Sequence, residues 1–208
     1  MMLPEKKWVL ELGDGFRVAA VVGAAAELAL FEAIPDDGMT AEQLAGQLSC
    51  SIRGVRVLCD ALTGLSLLEK RNDRYFVPPK LRPVLRESAP DTVIPMLRHR
   101  MSMMRSWANL AWTVKAGIPA PRTSSIRGPD ADLAAFVMAM NVISRDVADD
   151  LVRQLQPLQF RRMLDVGAGP GTWAFAFLRA VPDATAVLFD LPHAIELARR
   201  KAEEAGLV

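Results

Sequence analysis

The sequence predicts a mainly helical N-terminal domain followed by the beginning of an α/β domain with an incomplete parallel sheet. Two patterns predict this division. Apolar residues recur at helical spacing through the first half and end in two short strand-like segments. From Arg162 onward, strand-like and helix-like segments alternate with short connections. We therefore divide the chain into residues 1–90, a helical connector and loop over 91–130, and residues 131–208.

Composition bounds the partners that the chain can attract. The formal net charge is +1, from 25 basic and 24 acidic side chains, so no global field favours nucleic acid, an acidic substrate or a membrane surface. The longest apolar stretch, Val18 to Leu30, is too short to span a bilayer. No signal-peptide core precedes it, and the two cysteines suggest no disulfide framework. We expect a cytoplasmic protein with no membrane, nucleic-acid or metal partner.

The first long apolar segment, Phe16 to Ala33, predicts one helix that is buried on every side. A small domain in a chain of 208 residues has too few neighbouring elements to bury such a helix on every side. The segment therefore predicts contact with a second copy of the chain, and we expect a homodimer.

The segments that follow predict a winged-helix arrangement. Thr40 begins a short helix to Leu48, and Ser51 caps a second helix over Ile52 to Gly64. Residues 67–70 and 74–77 then form two short strands joined by a turn. The order helix, short helix, helix, hairpin is typical of a winged helix.

Two helical regions lead from this domain to the α/β domain. Residues Asp91 to Ala116 predict one or two helices that are rich in methionine and tryptophan. A loop rich in glycine, proline and serine follows, from Ala116 to Pro129. The next segment, Ala131 to Leu155, predicts a long helix with a regular apolar face. We expect that face to carry Leu133, Phe136, Val137, Met140, Ile143, Val147, Leu151 and Leu155.

A glycine-rich turn between a strand and a helix is the most informative motif. Gly167, Gly169 and Gly171 follow the strand Met163 to Val166, where glycine lets the chain turn sharply and lets a ligand approach the backbone. The third glycine comes two positions after the second, whereas dinucleotide-binding turns of the G-x-G-x-x-G type need three. This spacing disfavours a nicotinamide or flavin site.

Two acidic residues flank the turn. Asp165 precedes Gly167 by two positions, and Asp190 ends the next strand, where a carboxylate can accept hydrogen bonds from both hydroxyls of a ribose. The combination suits a nucleoside ligand without a pyrophosphate, such as S-adenosylmethionine. The alternative is a plain tight turn, with Asp190 capping the next helix.

The stretches 165–171 and 189–193 resemble the cofactor motif of the plant caffeate-type and bacterial polyketide-type O-methyltransferases, which use S-adenosylmethionine. The tripeptide Asp190-Leu191-Pro192 is particularly typical of that family. Residues 27–34 and the predicted winged helix are similar to its dimerisation domain. The resemblance covers nearly the whole chain and implies that the second half is the start of a Rossmann-like methyltransferase domain.

The resemblance also implies roles for particular residues. Gly167 would lie against the methionine part of the cofactor, Asp190 would hold the ribose hydroxyls, and Leu191 would lie near the adenine. Asp165 and Gly169 would shape the same wall. The long helix would face a small hydroxylated acceptor, an aromatic or polyketide-like secondary metabolite, through Phe136 and Met140.

The catalytic base of the family has no counterpart in this sequence. The family uses a histidine that deprotonates the acceptor hydroxyl, and neither His99 nor His193 lies at a matching position. The sequence also supplies only the first two of the seven strands that the family fold needs. We therefore expect no catalytic residue here, and the chain alone to be inactive. It would be part of a longer chain, one piece of a split protein or a remnant.

Two alternatives remain open beside a methyltransferase subunit. One is a non-catalytic partner that forms a heterodimer with a full-length methyltransferase. The other is a winged-helix DNA-binding regulator that uses Arg53 and Arg56 on its recognition helix. The wing would then contribute Lys70, Arg71 and Arg74. Nearby acidic residues and the nearly neutral net charge argue against the basic face that DNA binding needs.

Overall fold

Two separate units make up the chain in the computed structural model, which describes residues 3–207. They are Met1–Ile126 and Arg127–Val208. The first contains the winged helix and the second the parallel strands. The predicted fold class is confirmed: a mainly helical N-terminal domain precedes the start of an α/β domain.

Three helices open the first unit: α1 (Pro4–Asp14), α2 (Phe16–Glu27) and α3 (Leu30–Ala33). The prediction of one helix from Phe16 to Ala33 was wrong, because Ala29 takes a left-handed conformation with φ of 55° and separates α2 from α3. On the single chain this segment is unevenly buried, and its burial against a second copy stays a prediction. Phe16 and Val18 are exposed on this chain, whereas Leu30 and Phe31 are buried.

The winged helix follows. Its elements are β1 (Met39–Thr40), α4 (Ala41–Gln47), α5 (Ile52–Gly64), β2 (Glu69–Arg71) and β3 (Arg74–Phe76). Thr40 and Gln43 form a capping box at the start of α4, and the Ser51 hydroxyl accepts the Gly54 N–H at the start of α5. The hairpin has the predicted turn, with Asn72 and Asp73 both at positive φ. The sequence did not predict β1, which pairs antiparallel with β3.

The rest of the first unit is helical, and one of its helices packs against α2. A short 3₁₀ turn (Pro79–Leu81) leads to α6 (Arg82–Leu85), α7 (Ile94–Trp107) and α8 (Leu110–Ala116). Helix α7 packs on α2, and Gly23 allows close approach, since a Cβ there would lie 2.1 Å from Cγ of Met101. On the same helix, the buried Arg98 donates to the Ala26 carbonyl at 2.9 Å.

The second unit has the predicted order of helix, strand, helix, strand and helix. Its elements are α9 (Pro129–Gln154), β4 (Arg162–Val166), α10 (Thr172–Ala180), β5 (Thr185–Phe189) and α11 (Pro192–Glu204). The strands are parallel, with Arg162 opposite Thr185 and Val166 opposite Phe189. Helix α10 contacts both strands and α9, and α11 also contacts α9.

The buried face of α9 differs from the predicted one. Its buried residues are Ala135, Val137, Ala139, Ala148 and Val152. Most of the larger predicted positions, including Leu133, Ile143 and Val147, are exposed. Small side chains let two helices approach closely, and Ala148 and Val152 of this face cluster with Ala176 of α10.

One face of the two-stranded sheet is covered by α10 and the other is open. Met163 and Leu188 on the covered face are half-buried. The apolar side chains on the open face are Leu164, Val166, Val187 and Phe189. Parallel sheets are normally covered on both faces, and their strands are therefore apolar on both. Here one apolar face is exposed to solvent.

Candidate cofactor site

The glycine turn joins the end of β4 to the start of α10. Gly167, Gly169 and Gly171 all have positive φ, at 77°, 54° and 83°, a region that residues with a Cβ rarely occupy. The N–H groups of Gly167 and Ala168 donate to the Phe189 carbonyl at 2.8 and 3.3 Å. The turn is therefore held against the carboxyl end of β5.

Asp190 joins the two sides of this site. Its Oδ2 accepts the Gly169 N–H at 2.7 Å, and its Oδ1 accepts the N–H of Leu191 at 2.6 Å. The structure thus brings together three of the residues that the sequence singled out. A carboxylate has about four acceptor sites, so Asp190 keeps capacity for further donors such as the hydroxyls of a sugar.

The space beside the turn is open at two of its glycines. A Cβ at Gly167 or Gly169 would meet no atom within 4 Å, whereas one at Gly171 would lie 2.4 Å from the Phe175 ring. The first two glycines therefore present bare backbone to a ligand. The third is required by packing inside the unit.

Asp165 lies on β4 next to this turn and is half-buried. Its Oδ2 is buried and has no hydrogen-bond partner among residues 3–207. Burial raises the pKa of this carboxyl above its usual range; a hydrogen bond from the Ala174 backbone opposes the rise, and the negative charge of Asp190 adds to it. An orphaned acceptor beside an open turn suits a ligand that brings a donor or a positive charge.

The remaining predicted residues differ in how far they are exposed. Leu191 is 63% exposed just after Asp190, and Phe136 on α9 is 43% exposed. Met140, also on α9, is half-buried. Asn141, which the sequence analysis missed, joins this part of α9 to the end of the turn. Its Oδ1 accepts the Thr172 hydroxyl at 2.8 Å.

The two histidines lie in different units. His99 is on α7, where burial lowers its pKa, and His193 is in the first turn of α11. Among the described residues, no group of three or more His, Cys, Asp or Glu side chains could hold a metal ion. Within the same range, no helix is long and apolar enough to cross a membrane.

Most basic residues on the winged helix that could contact DNA are paired with acids. Arg56 binds Glu42, and Arg71 binds Glu69. Lys70 pairs with Asp60 at 2.9 Å and with Asp73 at 3.8 Å, and Arg74 pairs with Asp37 at 4.0 Å. This pairing reduces the positive potential that a DNA-binding face requires.

Solved structures of methyltransferases share this fold along nearly the whole chain. LaPhzM aligns with a TM-score of 0.80 and 24% identity, covering 99% of this chain and 64% of its own. PigF with SAH aligns with a TM-score of 0.79 and the same identity and coverage. An O-methyltransferase family protein from Burkholderia thailandensis aligns with a TM-score of 0.77.

Family models match both halves of the sequence. An O-methyltransferase dimerisation domain matches residues 10–79, and an O-methyltransferase domain matches residues 103–207. The second match alone covers half of the chain, and the chain therefore belongs to the O-methyltransferase family.

Among curated relatives, phenazine O-methyltransferase PhzM of Lysobacter antibioticus is 26% identical over 99% of this chain. N,N-dimethyltransferase OxyT of Streptomyces rimosus is 28% identical over 96%. The alignments cover 62% and 60% of these relatives. The chain thus spans about three fifths of their length.

Proposed function

We propose that this chain supplies the dimerisation part and the cofactor-binding turn of an S-adenosylmethionine-dependent O-methyltransferase. The observation that carries the proposal is the Asp190 carboxylate bound to the Gly169 N–H, beside a glycine turn with open space at Gly167 and Gly169. The proposed organisation keeps three parts: residues 1–90 for dimerisation, 91–130 as connector, and 131–208 for the cofactor.

The hydrogen-bonding groups and charges of these residues suit this cofactor. Asp190 can accept the two ribose hydroxyls without losing the Gly169 contact, because its oxygens have spare lone pairs. Gly167 would lie against the methionine part and Leu191 beside the adenine. Asp165 and Gly169 would complete the wall, where the orphaned Asp165 oxygen can meet a positively charged group. The bound cofactor supplies an electrophilic methyl group for transfer to an oxygen.

The acceptor that we propose is a small hydroxylated aromatic or polyketide-like molecule. Relatives named for such chemistry support this, including 3-hydroxy-5-methyl-1-naphthoate 3-O-methyltransferase of Streptomyces sahachiroi and acetylserotonin O-methyltransferase of Gallus gallus. Phe136 and Met140 on α9 would contact the acceptor. A base must remove the hydroxyl proton, and we assign that role to no residue of this chain.

Calorimetric titration of the 208-residue chain with S-adenosylmethionine tests the cofactor site. Asp190→Ala removes a charged acceptor for two hydroxyls and should cost about 2 kcal/mol of binding free energy, a more than tenfold loss of affinity. Asp183→Ala is the matched control, because Asp183 is exposed in the loop before β5 and should leave the affinity unchanged.

Equal losses in both variants would point to general electrostatics rather than to a ribose contact. No binding by a wild-type chain that is folded, as judged by circular dichroism, would contradict the proposal. The non-catalytic partner subunit would then replace it.

That partner subunit is the second candidate function. The open sheet face with Leu164, Val166, Val187 and Phe189 favours it, since a second chain could cover this surface. Such a subunit would form a heterodimer with a full-length relative and change the activity of that relative. Co-expression followed by size-exclusion chromatography and a methyl-transfer assay would separate the two proposals.

A further inference from the structure

We propose that Asn141 is a positioning residue for the cofactor turn. Its side-chain amide holds Thr172, and through it the end of the glycine turn, in the conformation that receives the nucleoside ligand. This inference rests on the proposed function, because it concerns the same site.

The hydrogen bond between Thr172 and Asn141 is built into the unit. Thr172 is 7% exposed, and its hydroxyl donates to Asn141 Oδ1 at 2.8 Å. A buried hydroxyl without a partner is costly, and this one points to α9 rather than capping its own helix. Helix α10 has Gly171 as its N-cap and no side-chain cap. The hydroxyl is therefore used to join two helices.

Fixing Thr172 also fixes the turn that precedes it. Gly171 has φ of 83°, its N–H donates to the Ala168 carbonyl, and its own carbonyl accepts the Phe175 N–H, both at 2.9 Å. The other side of the turn is held by Asp190 at Gly169. Glycines sample many conformations, so releasing Thr172 would free one end of the turn. The cost of ordering it would then fall on ligand binding.

The same hydrogen bond connects the cofactor turn to the proposed acceptor helix. Asn141 follows Met140 directly on α9, and α9 packs along α10. Asn141 thus keeps the start of α10 in register with the stretch that would contact the acceptor. We expect its loss to loosen the turn without abolishing the fold, because the apolar packing of α9 on α10 remains.

A double-mutant cycle tests this inference by calorimetric titration of the full chain with S-adenosylhomocysteine. Thr172→Val removes the hydroxyl at nearly constant volume, and Asn141→Leu removes the amide. Each should lower the affinity about fivefold, as expected for one neutral hydrogen bond. The double variant should be no weaker than either single one. Thr172→Ser keeps the hydroxyl and should stay within about twofold of wild type.

Hydrogen–deuterium exchange of the ligand-free chain supplies a second readout. Amides of the peptide 167–175 should exchange faster in Thr172→Val than in Thr172→Ser, whereas the peptide 185–189 should change little. If Asn141→Leu does not fold, the Val and Ser variants at Thr172 still decide the question.

Three results would overturn the inference: unchanged affinity in both single variants, losses that add in the double variant, or equal exchange in the Val and Ser variants. The proposed cofactor site would survive all three, provided that the wild-type chain binds. A folded wild-type chain that does not bind S-adenosylhomocysteine would overturn both.

Discussion

Arg98 is a buried charged side chain that joins α7 to α2 in the first unit. It is 8% exposed on α7, donates to the Ala26 carbonyl, and makes two hydrogen bonds to the Glu87 carboxylate at 2.6 and 2.7 Å. Arg98→Ala should lower the free energy of unfolding by about 1–3 kcal/mol, because it removes three hydrogen bonds made by a buried guanidinium.

Urea unfolding followed by circular dichroism measures this change. Arg100→Ala is the matched control, since Arg100 is exposed on the same helix and should change the free energy by no more than about 0.5 kcal/mol. Similar losses in both variants would show that charge on α7, rather than the buried contacts, matters.

Asp60 links the hairpin to α5 in a pH-dependent way. Hydrogen bonds from Lys70 and from Tyr75 lower the pKa of this carboxyl, so its contribution to stability is present above the unfolded-state pKa of about 4. That contribution is lost as the pH falls through the lower folded-state pKa. Asp60→Asn should therefore cost stability at pH 7 and little in strong acid.

The loss at neutral pH should be no more than about 1 kcal/mol, because the Asp60 side chain is half-exposed. Urea midpoints at neutral and acidic pH give the comparison. A difference between wild type and variant that stayed constant down to acid would contradict the assignment.

Sequence reasoning identified the residues whose chemistry is local and missed those whose role depends on long-range contacts. The glycines of the turn and Asp190 stand out because strand, turn and acid follow a fixed spacing. Asn141 and Arg98 carry no such spacing, since their partners, Thr172 and Ala26, lie far away in sequence. A lone asparagine in the apolar stretch Phe136 to Ile143 was the available signal for Asn141.

Among the secondary-structure elements, α2 and α7 depend on the absence of a side chain at Gly23. Gly23→Ala should destabilise the first unit by about 1–3 kcal/mol, because the new Cβ would overlap Met101. Gly46→Ala on α4 meets no atom within 4 Å and should instead stabilise by up to about 1 kcal/mol through helix propensity.

Thermal unfolding of the two variants should show a lower midpoint temperature for Gly23→Ala and a higher one for Gly46→Ala. Met101→Ala in the Gly23→Ala background should recover part of the loss by making room. A Gly23→Ala variant as stable as wild type would mean that Met101 moves aside freely.

Helix and strand types were largely predictable, whereas the buried side of each helix was not. Periodicity placed α4, α5 and α9 to within a few residues. On α9, however, the periodicity was read mainly from large apolar side chains. The buried face consists of alanines and valines such as Ala139 and Val152. The break at Ala29 carries no proline or glycine signal, which is why one helix was predicted instead of two.

For the whole molecule, the family membership and the dimerisation-domain match support a homodimer. The exposed apolar side chains of α1 and α2 include Trp8, Leu12, Phe16 and Val18. We propose that a second copy covers them. Phe16→Asp would place a charge in that interface and should weaken dimerisation by at least about tenfold.

Sedimentation equilibrium at micromolar concentration measures the dimer dissociation constant. Val57→Asp is the control, because Val57 is an equally exposed apolar residue on α5 outside the predicted interface. A wild-type chain that sediments as a monomer at these concentrations would contradict the homodimer.

The parallel pairing of β4 with β5 has a consequence for how the second unit forms during synthesis. Arg162 and Thr185 are partners, yet the whole of α10 is translated between them. At about 5–20 residues per second, β4 leaves the ribosome about one to five seconds before β5 does. Helix α10 can form locally in that interval and dock on α9. The nascent chain can thus dock α10 on α9 before β5 pairs with β4 and brings Asp190 to the glycine turn.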